Sequence, residues 1–188
     1  MTVTINQLDR GMALLIDGNI YLVDEYHHVK PGKGAAFVRV NLRNIKTDAT
    51  LERTFRTADK LEDVPLEEAE LEFLYHSGDG YHFMNHDSYE EMVISEAQIG
   101  EGTKFLLENL AVTAMINNHQ IMKVILPNFI EAEIIETEPG FKGDSKTSST
   151  KPAKIASGAT VQVPMFINTG ETVKIDTRTG SYVERILK

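Results

Sequence analysis

The 188-residue chain is 41% hydrophobic and 25% charged, the balance of a folded protein rather than a disordered one, and its formal net charge is −9. It has no cysteine, which excludes a disulfide framework, a thiolate metal site and cysteine nucleophiles, and fits a reducing cytoplasm. The N-terminus lacks the basic and apolar regions of a signal peptide, and no apolar run reaches the length of a helical span, so neither export nor membrane insertion is expected.

Short alternations of apolar and polar residues, broken by Gly, Asn, Asp and Pro, recur along the chain, and long amphipathic helical patterns do not. This predicts an all-β protein of several small barrels or sandwiches. Ala13 to Ile16, the turn Asp17-Gly18-Asn19 and Ile20 to Val23 read as a hairpin. Next comes Val29-Lys30-Pro31-Gly32-Lys33-Gly34-Ala35-Ala36-Phe37. Pro31 fixes one φ and the two glycines permit positive φ, so Lys33 is expected at the tip of a tight loop. Such a lysine either solubilises a turn or is offered to a partner. From Phe37 to Arg43 the alternation is strict, which points Val38, Val40 and Leu42 to one side and Arg39, Asn41 and Arg43 to the other. Two arginines and an amide on one outward face suit sugar-phosphate contacts.

A net charge of −9 argues against a nucleic-acid partner until its distribution is considered. Residues 1–63 hold 9 basic and 9 acidic side chains, residues 64–126 hold 2 and 11, and residues 127–188 hold 8 and 8. The excess lies in the middle third. Between Lys30 and Lys60, eight basic side chains face only Asp48, Glu52 and Asp59 along the chain, a locally basic end on an acidic protein.

The charged, proline-containing stretch Glu62 to Glu68 reads as a boundary, and so does Leu126-Pro127-Asn128. They divide the chain into 1–64, 65–127 and 128–188. In the middle part, strands are expected at Leu71–Tyr75, Tyr81–Met84, Tyr89–Ile94, Ala111–Ile116 and Ile121–Leu126, with a short helix capped by Ser95 before the fourth. Five strands with a helix in that place resemble an OB-type barrel. In the last part, a strand from Phe129 to Thr137 leads into a Gly-, Ser-, Thr- and Lys-rich loop over residues 138–150. Strands follow at 160–164, 172–176 and 182–186.

His76, His82 and His86 lie near Asp79, Asp87 and Glu90, but Tyr75-His76 and Tyr81-His82 flank a Ser77-Gly78-Asp79-Gly80 turn and read as exposed hairpin neighbours. No metal site is expected there. No nucleophile elbow, phosphate loop or Ser/His/Asp arrangement stands out, so neither a catalytic residue nor a cofactor is expected. An enzyme built on the histidine-rich middle part remains the rival reading.

Lys151-x-Ala153, Gly158, Val161-x-Val163-Pro164, Ile167 and Gly170 have the spacing of the bacterial translation elongation factor P signature. The Pro-Gly-Lys-Gly loop stands where that family carries its functional tip, and Phe83-Met84 with Tyr89-Glu90 resembles its middle domain. The resemblance implies three small β-barrels in an L shape, an SH3-like (KOW-like) domain followed by two OB-fold domains. It implies a non-enzymatic factor that binds the ribosome between the peptidyl-tRNA and exit sites and relieves stalls at consecutive prolines. Lys33 would reach the CCA end of peptidyl-tRNA, shaped by Lys30, Pro31, Gly32 and Gly34. Gly143, Asp144 and Ser145 would lie near the exit-site codon, and Tyr182 and Arg185 near transfer RNA. Relatives extend the tip lysine with a β-lysyl or aminopentanol group, which implies a lysine-modifying enzyme as a further partner of a cytoplasmic monomer. A paralogue of the family with another stall preference is the alternative.

Overall fold

The computed structural model describes residues 2–30, 32, 35–139 and 150–187. The chain packs as two compact units, residues 1–68 with 114–123, and residues 69–113 with 124–188. The structure is all-β, as the alternation predicts, with sixteen strands among the described residues arranged in three sheets.

The first sheet holds β1 (Thr2–Thr4), β2 (Ala13–Ile16), β3 (Asn19–Val29), β4 (Phe37–Asn44), β5 (Thr50–Arg56) and β6 (Lys60–Asp63), in the antiparallel order β1-β6-β2-β3-β4-β5. Val38, Val40 and Leu42 of β4 are each no more than 1% exposed and meet Leu14 and Val23 in the core, so the inward half of the alternation is realised. Asp17 and Gly18 both take positive φ, 50° and 79°, the two-residue turn whose twist matches the strands it joins. Strands β1 and β6 pair Thr2 with Glu62 and Thr4 with Lys60. They are too short to show a periodicity in sequence.

The second sheet holds β7 (Glu67–Ser77), β8 (Gly80–Asn85), β9 (Glu91–Ile94), β10 (Ala111–Asn117) and β11 (Gln120–Ile125), in the order β11-β10-β7-β8-β9. Between β9 and β10 runs one turn of helix, α1 (Glu96–Ile99), continued as a 3-10 segment to Phe105. The Ser95 hydroxyl and backbone N–H both donate to Gln98 Oε1, at 2.6 and 3.1 Å, which fixes the helix start.

The third sheet holds β12 (Phe129–Thr137), β13 (Thr150–Ile155), β14 (Thr160–Pro164), β15 (Thr172–Asp176) and β16 (Ser181–Ile186), in the antiparallel order β14-β13-β12-β15-β16. Its core of Ile130, Ile134, Ile155, Val163, Ile167, Val173 and Ile175 also takes in Phe105. That ring lies 3.3 Å from where a Cβ on Gly180 would stand. A proline obscures β13 in the sequence, since it removes a ladder donor. The pairing of β13 with β12 ends at Ala153, and the Pro152 carbonyl accepts the Thr137 hydroxyl at 2.9 Å. Lys151 is 4% exposed and donates to the Glu138 carbonyl at 2.5 Å, so this residue of the signature serves the fold.

Candidate nucleic-acid interface

Strands β3 and β4 form the long hairpin whose connection carries the Pro-Gly-Lys-Gly motif. Pro31, Lys33 and Gly34 lie outside the described residues, as do Gly143, Asp144 and Ser145. The frame around the first loop is described. Val29 pairs with Phe37, and Phe37 with Arg56, across three adjacent strands. Lys30 and Gly32 are exposed, and nothing lies within 4 Å of where a Cβ on Gly32 would stand. Lys30 and Arg56 have no ion-pair partner among the described residues.

Arg39 and Arg43 are exposed and Asn41 is half-buried, all on the side opposite the buried valines. The arginines are not free. Arg39 Nε lies 3.4 Å from Glu52, and Arg43 donates to Asp24 Oδ1 through Nε at 3.2 Å and Nη2 at 2.9 Å. Asn41 stands in register between Glu25 and Glu52. Glu25 in turn takes Arg10 at 2.9 Å and has His27 Nε2 at 3.6 Å. Arg10, Asp24, Glu25, Asn41 and Glu52 thus line one open hollow of about 500 Å³.

A break in the ladder explains Asp24. The register shifts between Val23 and Glu25, leaving Asp24 as the extra residue of a bulge whose side chain is re-aimed toward Arg43. Asp24 and Glu25 leave no local signal in the sequence, because they precede Lys30 in the chain and meet the arginines only in the folded sheet. Glu52 opposite Asn41 was open to discovery from a hairpin register; the bulge was not.

In the third sheet, Tyr182 is half-buried and packs against the core. Arg185 is exposed, donates to Glu171 Oε1 at 3.0 Å and lies 5.8 Å from the centre of the exposed Phe166 ring. Glu171 is fixed in turn by the Asn168 backbone N–H at 2.7 Å, and that bond, ahead of Arg185, holds its carboxyl below the ordinary range.

The middle sheet corrects one expectation. His82 is 7% exposed, not an exposed hairpin neighbour like His76. Its Nδ1 meets Glu91 at 2.6 Å, its Nε2 meets Asp79 at 3.0 Å and the Ser77 hydroxyl at 2.9 Å, and Tyr75 stacks on its ring at 4.3 Å. Ser77, His82 and Glu91 have the connectivity of a hydrolytic triad. Asp79 defeats that chemistry, because the Ser77 hydroxyl donates to Asp79 and each imidazole nitrogen faces a carboxylate. Hydrogen bonds to Asp79 and Glu91 raise the pKa of His82, while those from Ser77 and His82 lower Asp79 to about 2. With both ring nitrogens facing carboxylates, which only accept when ionised, and the Ser77 hydroxyl directed at Asp79, the imidazole is not placed to take a proton from Ser77. Among the described residues, no group of three or more His, Asp or Glu side chains is placed to hold a metal.

Three family profiles match in succession. "Elongation factor P (EF-P) KOW-like domain" covers residues 4–61, "Elongation factor P (EF-P) OB domain" residues 66–124, and "Elongation factor P, C-terminal" residues 130–185. A protein named Elongation factor P from Symbiobacterium thermophilum is 48% identical over 183 residues, spanning 97% of this chain and 99% of that one. The chain belongs to the elongation factor P family. A second family member, from Caldicellulosiruptor saccharolyticus, is 47% identical over 177 residues, 94% of this chain and 96% of its own. Among solved structures, a translation initiation factor 5A from Methanococcus jannaschii is 26% identical with a TM-score of 0.45, covering 66% of this chain and 96% of that one. This family member is accordingly a translation factor, all-β, with a KOW-like domain followed by an OB domain. No helix among the described residues is long and apolar enough to cross a membrane.

Proposed function

We propose that the protein binds the ribosome between the peptidyl-tRNA and exit sites and restores peptide bond formation at consecutive prolines by positioning the CCA end of peptidyl-tRNA. The reading is carried by one observation: the three elongation factor P profiles run the length of the chain, and its Pro31-Gly32-Lys33-Gly34 motif connects the two strands of the longest hairpin in the first sheet. The domains are taken as 1–64, 65–127 and 128–188, acting as a cytoplasmic monomer. Lys33 is the residue offered to the peptidyl-tRNA end, with Lys30, Pro31, Gly32 and Gly34 setting its approach. Arg39, Asn41, Arg43, Tyr182 and Arg185 face RNA, and Gly143, Asp144 and Ser145 approach the exit-site codon.

No catalytic group is required. Proline is a constrained participant in peptide bond formation, and holding the reacting ends in a productive geometry lowers the entropic part of the barrier. Favourable positioning is worth up to about 7–11 kcal/mol in model reactions, and a fraction of that relieves a stall. Lys33 is also the acceptor of a covalent extension of the β-lysyl or aminopentanol kind, placed by a lysine-modifying enzyme. In native protein the peptide containing Lys33 then carries a mass increment; an unmodified mass would rule the extension out. The function itself is tested in a strain whose sole copy is Lys33→Ala, with ribosome occupancy read at consecutive prolines. Pausing as severe as in a deletion is expected, and pausing no greater than wild type would overturn the tip assignment.

A further inference from the structure

On the reading that the outward face of β4 meets RNA, the charges on that face have a direction. The row nearest the loop is Val29, Phe37 and Arg56, with Lys30 beside it; next come His27, Arg39 and Thr54, then Glu25, Asn41 and Glu52. Arg10, Arg39 and Arg43 are each matched by one carboxylate, from Glu25, Glu52 and Asp24. The body of the face is therefore neutral; among the described residues the cations without an ion pair next to the loop are Lys30 and Arg56, while Lys46, also without one, lies off these rows in the turn at the far end of β4. Phe37 and Asn41 are four residues apart on one strand, roughly 14 Å at the rise of an extended chain. That exceeds the screening length of about 8 Å at physiological salt, so Glu25 and Glu52 do little to cancel Lys30 and Arg56, and the nearer carboxylate of Asp59 accepts the Arg56 backbone N–H at 2.7 Å without pairing with its guanidinium.

A phosphate reaching Arg39 or Arg43 must displace a carboxylate that is already bound. We propose that Asp24 and Glu52 are affinity-setting residues, built-in counter-ions that occupy Arg43 and Arg39 and confine tight contact with the RNA backbone to the loop end of the sheet. A factor that must leave after its work gains from such a device, since each arginine opened to phosphate strengthens binding without improving placement. The pairs are suited to exchange. Their side chains are 36–56% exposed, and the Asp24 carboxylate reaches Arg43 from a bulge rather than from the ladder.

The test uses the full chain and a deacylated transfer RNA as probe, with affinity measured across a salt series. Asp24→Asn with Glu52→Gln is expected to bind about three- to tenfold more tightly at low salt. Its salt dependence should steepen by about 1.4–1.8 in log–log slope for two added phosphate contacts. Adding Arg39→Ala and Arg43→Ala to that variant should abolish the gain. Lys30→Ala with Arg56→Ala should weaken binding in the otherwise wild-type chain. Unchanged affinity and slope in the carboxylate variant overturn the counter-ion role, and the RNA-facing reading stands if the Lys30 and Arg56 variant still loses affinity. If that variant binds as wild type does, reading and inference fall together. Glu52→Gln alone, on the regular β4–β5 ladder, gives half the effect if Asp24→Asn disturbs the bulge.

Discussion

The first and second sheets each set cations against carboxylates, and they do it for opposite ends. On the outer face of β4 the pairs are exposed, one arginine to one carboxylate, in an environment where water and salt compete. Exposed pairs contribute about 0–1 kcal/mol to stability, so they can be exchanged at little cost to the fold. At His82 the imidazole is buried and shared. Asp79 and Glu91 hold its two nitrogens while Tyr75 covers its ring, which ties β7, the hairpin turn, β8 and β9 to a single side chain. Burial decides which cluster is structural and which is free to trade partners.

The largest effect is expected at His82. His82→Ala leaves Asp79 and Glu91 without their shared hydrogen-bond partner and Tyr75 without its stacking partner, and is expected to lower the thermal midpoint by several degrees. An unaltered midpoint would put the two clusters in the same class. The pH dependence follows with a definite sign. Bonds to Asp79 and Glu91 raise the pKa of His82 above its ordinary 6.5, so its contribution is complete below that value and is lost as pH rises through the raised one. Asp79, held at about 2, and Glu91, held below its ordinary 4.5, contribute above their unfolded values and lose that contribution as pH falls. The cluster therefore stabilises most between about pH 4.5 and 6.5. The midpoint difference between wild type and His82→Gln should shrink on the alkaline side, and a constant difference from pH 5 to 9 would contradict the assignment. Asp79→Asn is a smaller change, since Glu91 remains. A proton-resonance titration of His82 should show its pKa falling back toward the ordinary value. The smallest effect belongs to the first sheet, where Glu52→Gln should move stability by no more than about 0.5 kcal/mol in denaturant unfolding. A loss comparable to His82→Ala would mean that the outer pairs hold the fold and are not exchangeable.

Much of this was legible in sequence where the chain speaks locally. The period of two from Phe37 to Arg43 identifies both the buried Val38, Val40 and Leu42 and the outward arginines, and Asp17-Gly18 marks the first hairpin. What arises across strands was hidden. A tally of charges along the chain from Lys30 onward shows a basic face because Asp24 and Glu25 lie upstream, although they are the arginines' neighbours in the sheet. The burial of His82 depends on Glu91 arriving from β9, which a hairpin turn at Ser77 to Gly80 does not foretell. The placing of Phe105 in the third core likewise has no local signal, because the fully buried residues it joins follow it by 25 residues or more.

The positioning role of Lys33 is tested most directly by the rate of a single proline–proline bond, measured on purified ribosomes with the factor at saturating concentration and a phenylalanine–phenylalanine bond as control. Wild-type protein should accelerate the proline bond and leave the control unchanged, whereas Lys33→Ala should bind and yet fail to accelerate. Equal acceleration by Lys33→Ala at saturation would contradict the claim that this one side chain positions the reacting end.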